Sequence, residues 1–206
     1  MRNLDDVIAL VKKVGHLVYA VKIHNLYDKF GPEVVNKLKE AGAEKVWVDF
    51  KLYDIPNTGR LRAKNITADI ISVHASGGVK MMKEIVKSGK EIFAVTALTS
   101  FTSEEVKQIY NRAVEDVVLT LAQLAKEAGV AGIVCSPQEI KMLRSHEEFN
   151  DLKIIVPGIR STGVDTNDQS RVATPQEAVK NGADYLVIGR QITQADDPVS
   201  VAENIE

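Results

Sequence analysis

Cysteine is almost missing from this 206-residue chain, where Cys135 stands alone. A lone thiol excludes an internal disulfide, and without a CxxC or Cys/His spacing there is no metal-ligand pattern. Such sparing use points to a reducing, cytoplasmic compartment. Long apolar runs are missing too. No segment reaches the ~18 apolar residues that a membrane-spanning helix requires. Excess charge of one sign is also missing: 26 Lys and Arg stand against 28 Asp and Glu, a net −2. Bulk charge therefore gives no footprint for nucleic acid, while a local basic site for a small anion stays compatible with it. No Ser-, Pro- or Gly-rich linker divides the chain, so residues 1–206 are expected to form one domain.

What is present is ordinary for a water-soluble globular protein: 45% apolar and 26% charged residues. At this length folding buries roughly 70% of the unfolded chain's surface, enough for a core without staples. The opening MRNLDDVIALVKKVG does not read as a targeting signal, because Asp5, Asp6, Lys12 and Lys13 interrupt it. Leu4, Val7, Ile8, Val11 and Val14 recur at helical spacing, with Asn3 as a cap and Gly15 as a stop. Short Val- and Ile-rich runs follow at 17–23, 45–50, 68–74, 92–98, 130–135, 153–156 and 183–188. Continuous apolar runs of this kind suit a parallel sheet buried on both faces. Helical segments are expected at 33–40, 58–66, 77–88, 103–128, 137–145 and 175–181. Gly31-Pro32 and Thr174-Pro175 mark helix starts. The pattern is an α/β fold, either a (β/α)8 barrel or a doubly wound sheet. Barrels typically take ~250 residues and at least ~200, so a barrel here is a short one.

In both folds ligands bind beyond the carboxyl ends of the strands. After the second apolar run comes Asp49-Phe50-Lys51-Leu52-Tyr53-Asp54-Ile55-Pro56-Asn57-Thr58. Period-two geometry puts Trp47, Asp49 and Lys51 on one side, with Val46, Val48 and Phe50 towards the helices. Asp49 and Lys51 then point together into the mouth, where each keeps the other ionised. Asp54 adds a carboxylate from the loop, and Lys22 ends the preceding run. An ion pair closing the rim accounts for the same spacing. A second cluster follows the last two runs: Pro157-Gly158-Ile159-Arg160 and Ile188-Gly189-Arg190. Glycine admits a ligand close to the backbone, and Arg190 suits bidentate phosphate contact. Two surface arginines beside turn glycines are the plain alternative. His74 reads as a packed residue, and His16, His24 and His146 share no metal spacing.

These motifs together resemble the orotidine 5′-phosphate decarboxylase family. The resemblance rests on Asp49 to Thr58, Val73-His74-Ala75-Ser76-Gly77-Gly78, Leu98-Thr99-Ser100, Pro157 to Arg160, Asn167 to Pro175 and Ile188-Gly189-Arg190. It runs from about Leu4 to Asn204. It implies a homodimeric TIM (β/α)8-type barrel that converts orotidine 5′-monophosphate (OMP) to UMP and CO2 in de novo pyrimidine biosynthesis. It implies no metal and no organic cofactor, and neither nucleic acid nor membrane as partner. Lys51 is implied as proton donor to C6, Asp49 as neighbour of the departing carboxylate, and Lys22 as the group that holds the array and touches the ribose. Asp54 and Thr58 are implied to reach the partner subunit's site. Thr99 is implied near the pyrimidine, Gln169 between base and phosphate, and Arg160, Gly189 and Arg190 around the phosphate. The family's opening strand, which ends in an Asp, has no counterpart in Met1-Arg2-Asn3, so seven strands are expected. Two alternatives stand beside this: a trimmed, inactive barrel that binds UMP-like nucleotides, and a Mg2+-dependent 3-keto-sugar-phosphate lyase.

Overall fold

A computed structural model describes residues 3–161 and 172–205. In chain order the elements are α1 (Leu4–Val14), β1 (Val21–Ile23), α2 (Asn25–Phe30), α3 (Glu33–Glu40), β2 (Val46–Leu52) and α4 (Pro56–Asn65). Then come β3 (Ile70–His74), α5 (Gly78–Val86), β4 (Glu91–Val95), α6 (Ser103–Tyr110), α7 (Val114–Ala128) and β5 (Gly132–Val134). The chain closes with α8 (Ile140–Arg144), β6 (Lys153–Val156), α9 (Pro175–Lys180), β7 (Tyr185–Leu186), α10 (Arg190–Thr193) and α11 (Pro198–Glu203).

Among the described residues there are seven strands, all parallel, neighbouring one another in strict chain order. That order never reverses, which excludes the doubly wound alternative, whose sheet has a switch point. The sheet curls until its ends meet: Tyr19, just before β1, stacks on Tyr185 of β7 with ring centroids 4.3 Å apart. No ladder joins β7 to β1 among the described residues. The seven expected strands are thus present as a curled, barrel-type sheet whose two edges, β1 and β7, are bridged at a seam by this side-chain stack and by no ladder among the described residues.

Two apolar clusters form because these strands have two buried faces. Outside, Val46, Val48, Ile71, Val73 and Ile133 meet helix residues such as Leu38, Met82 and Leu121. Inside, Trp47, Ile70, Phe93, Val95, Val134 and Ile155 fill the barrel, with Tyr19 and Tyr185 packed against them. At the amino ends of the strands, Tyr19 donates to Glu91 at 2.8 Å and Lys45 pairs with Glu91 at 3.0 Å. Burial pushes the Tyr19 phenol up to about 12, so it remains a neutral donor.

Local chemistry sets the helix ends. Asn3 accepts from the Asp6 N–H at 2.7 Å, as expected of a cap. Thr174 and Glu177 form a capping box at the expected Thr174-Pro175 start. The expected 103–128 helix is two helices, because Asn111 takes a left-handed conformation (φ 54°) and ends α6. The 17–23 strand is shorter, because Gly15–Leu17 forms a 3-10 turn. The short helix α2 lies outside the expected segments; at six residues its apolar face is only Leu26, Tyr27 and Phe30, half-buried against the core, too short a period to mark a helix. No described helix is long and apolar enough to cross a membrane.

Candidate active site

The carboxyl ends of the strands carry the polar side chains, as the sequence predicts. Lys22 on β1 pairs with Trp47 on β2 in the ladder, so both face the interior. Two residues on, the Asp49 carboxylate is nearly buried, its side chain 7% exposed. Its Oδ2 accepts from Lys22 Nζ and Lys51 Nζ, both at 2.9 Å. Its Oδ1 accepts from the Ser72 hydroxyl of β3 at 2.5 Å. Burial alone would push this carboxyl up. The charges of Lys22 and Lys51 and the hydrogen bonds from Ser72 and Lys22 outweigh burial and hold it at about 2. The Lys22 ammonium also lies 5.2 Å from the centre of the Trp47 ring.

Lys51 arrives by a route that simple alternation does not describe. Ladder partners step from Val48↔Ile71 to Leu52↔Val73, so β2 spends four residues where β3 spends two. Lys51 in this bulge has φ 50°, one of two non-glycine residues with positive φ among those described. An L-residue there carries roughly 1–2 kcal/mol of strain. Strain of this kind is characteristic of sites where a side chain must be aimed.

Lys22, Asp49 and Lys51 form part of the wall of a pocket of about 170 Å3. Its walls come from around the barrel: Trp47 from β2, Val95 from β4, Thr99 beyond β4, Val134 from β5, Pro157 beyond β6 and Val187 beyond β7. A larger hollow, about 390 Å3, lies on the outer layer and is lined by Asp6, Lys13 and Asp196 among others. None of the candidate residues lines it. His74 is half-buried at the end of β3, with its ring 6.0 Å from Tyr53. Burial, then the nearby Lys51 charge, lowers its pKa against the pull of Asp49.

Lys22, Asp49 and Lys51 are therefore one hydrogen-bonded unit. Asp54 is not part of it within this chain. Its carboxylate accepts from the Ile55 N–H at 2.8 Å and sits 3.7 Å from Arg62, in the last turn of α4. Thr58 lies on the first turn of that helix. Between the last loops, the Ser161 N–H donates to Gln191 Oε1 at 3.1 Å. This ties the loop carrying Arg160 to the helix start carrying Gly189 and Arg190. Arg160 also donates to the Ile159 carbonyl at 2.7 Å. Gln169 lies outside the described residues. Ser72 and Gln191 were missed in the sequence. A lone hydroxyl in the apolar run Ile70-Ile71-Ser72-Val73 is the signal that would have found Ser72, because buried polar groups need partners.

The donor set does not fit the Mg2+-dependent alternative. Both Asp49 oxygens are engaged, and two ammonium groups flank one of them, so a divalent cation meets repulsion there. Among the described residues no three His, Cys, Asp or Glu side chains gather as a metal site.

A curled parallel sheet with a lysine–carboxylate unit at its mouth defines a βα-barrel enzyme. Residues 1–205 match the profile of the orotidine 5′-phosphate decarboxylase / HUMPS family. The chain belongs to that family. It is 41% identical over 213 residues to the orotidine 5′-phosphate decarboxylase of Actinobacillus pleuropneumoniae serotype 5b, covering 97% of this chain and 91% of that protein. Among solved structures, orotidine 5′-phosphate decarboxylase from Lactobacillus acidophilus superposes with a TM-score of 0.82 at 32% identity, over 98% of this chain and 92% of that one. The Pyrococcus horikoshii OT3 enzyme gives 0.81 at 26% identity, over 100% and 93%.

Proposed function

We propose that this chain decarboxylates OMP to UMP in pyrimidine biosynthesis, without metal or organic cofactor. The observation that carries this is the Lys51 ammonium held 2.9 Å from the Asp49 carboxylate in the wall of a pocket at the mouth of the sheet. When the bond between C6 and the carboxylate breaks, CO2 leaves and the electron pair stays on C6. An ammonium fixed at that position stabilises the developing charge. Lys51 then gives its proton to C6 and is reprotonated from solvent. Asp49 lies against the departing carboxylate. Lys22 holds the pair and contacts the ribose.

Thr99 contacts the pyrimidine. Arg160, Gly189 and Arg190 hold the phosphate, helped by Gln169. Phosphate binding far from C6 contributes energy that orders the site. Residues 1–206 work as one barrel domain in the cytoplasm. The active form is a homodimer in which Asp54 and Thr58 reach the other subunit's pocket. Tyr53 and Ile55, 60% and 68% exposed beside Asp54, support an apolar contact there.

The test is the loss of OMP absorbance with purified protein. Turnover in the wild type and none in Lys51→Ala supports the reading. Wild-type turnover no higher than that of Lys51→Ala overturns it.

A further inference from the structure

We propose that Ser72 is a positioning residue for the Lys51–Asp49 pair, one hydroxyl holding both the strained backbone at Lys51 and the carboxylate that Lys51 touches. This rests on the decarboxylase reading above. Ser72 is fully buried in an otherwise apolar stretch of β3. Its Oγ accepts from the Lys51 N–H at 3.0 Å and donates to Asp49 Oδ1 at 2.5 Å. A hydroxyl has one proton and two lone pairs, so it performs both tasks at once.

The bulge explains why such a residue is needed. Where β2 spends extra residues against β3, the regular ladder is broken and the bulged residue loses its backbone partner. Ser72 takes the place of that partner for Lys51. It holds φ at 50°, the conformation that sends the ammonium back to Asp49. The same oxygen anchors Asp49 from the side opposite the lysines. Ser72 does not itself line the pocket but bonds to two residues that do, Asp49 and Lys51, so it acts through the pair.

The groups facing Asp49 are Lys22 from β1, Lys51 on its own strand, and Ser72 and His74 from β3. Removing the Ser72 hydroxyl takes away a hydrogen bond that favours the charged carboxylate. It also leaves the Lys51 N–H without its acceptor. Both changes misplace groups whose geometry matters most at the transition state.

The experiment compares Ser72→Ala with Ser72→Thr, which keeps the hydroxyl. Three quantities are read: kcat and KM for OMP across pH, UMP affinity, and the 13C titration of the Asp49 carboxyl. In Ser72→Ala we expect kcat to fall by about 10- to 100-fold, as for a lost hydrogen bond to a charged group. UMP affinity stays unchanged, the Asp49 titration moves up, and Ser72→Thr recovers most of the loss. Wild-type kcat with an unmoved Asp49 titration in Ser72→Ala overturns the proposal. So does equal loss of UMP binding and turnover in both variants, which marks a packing role. If the wild type itself fails to turn over OMP, the decarboxylase reading falls. An upward shift of the Asp49 titration in Ser72→Ala still upholds the positioning role in that case.

Discussion

Lys22 and Lys51 place their ammonium groups on the same oxygen of Asp49, each at 2.9 Å. One carboxylate is therefore the shared counter-ion that lets two cations stand side by side at the mouth. Replacing Asp49 with Asn removes that charge with little change in shape. Turnover should fall by roughly 100- to 1,000-fold, the usual cost of losing a preorganised electrostatic group. Stability should fall by only about 1–2 kcal/mol, because both lysines keep access to water. Steady-state kinetics and chemical denaturation measure the two effects separately.

The pH dependence of stability follows from the same carboxylate. Its folded pKa, about 2, lies below the ordinary 3.8. A lowered acid contributes stability that is complete above the unfolded value and is lost as pH falls through the folded one. Between pH 4 and pH 2 the protein should lose about 2 kcal/mol from this group. Denaturation midpoints taken across that range should show a step that Asp49→Asn lacks.

Arg190→Ala should weaken UMP binding by about 2–3 kcal/mol, as for a lost charged hydrogen bond, and leave uridine binding unchanged. Calorimetry with both ligands separates a phosphate contact from a general loss of fold. Equal affinity of wild type and variant for UMP would remove Arg190 from the phosphate site.

At the seam, Tyr19→Ala should destabilise the protein by about 3 kcal/mol, near the lower end for a large aromatic because the ring is only partly buried. Tyr19→Phe keeps the ring stack on Tyr185 and loses the phenol contacts to Lys45, Glu91 and the Tyr185 side chain. Its cost should be about 1 kcal/mol. Thermal melts of the two variants rank the ring above the hydroxyl if the stack holds the seam.

Strand alternation, helix caps and the Asp49-Lys51 spacing were legible because each is written in neighbouring residues. Asn3 needs only Asp6, and Thr174 only Glu177. Val46, Val48 and Trp47 fall on the faces that a period of two assigns them. The bulge at Lys51 was not legible, because positive φ at a lysine leaves no local mark. Ser72 lies 21 positions from Lys51 and becomes its partner only when β3 is in register. The division of 103–128 by Asn111 escaped because no Gly or Pro interrupts that stretch.

The Tyr19–Tyr185 stack joins residues nearly the whole chain apart. Closing so long a loop carries the largest entropy cost of any contact in the sheet. With no ladder between β1 and β7 to support it, this contact is the one expected to open first. Lys22, just past Tyr19, and Val187, just past Tyr185, stand on opposite lips of the pocket. Opening the seam takes the pocket apart while β2 to β6 stay paired. Amide hydrogens of β1 and β7 should exchange sooner than those of β3 and β4, by sub-global opening. A nucleotide bridging both lips would slow that exchange, acting on the barrel as a clasp acts on a bracelet.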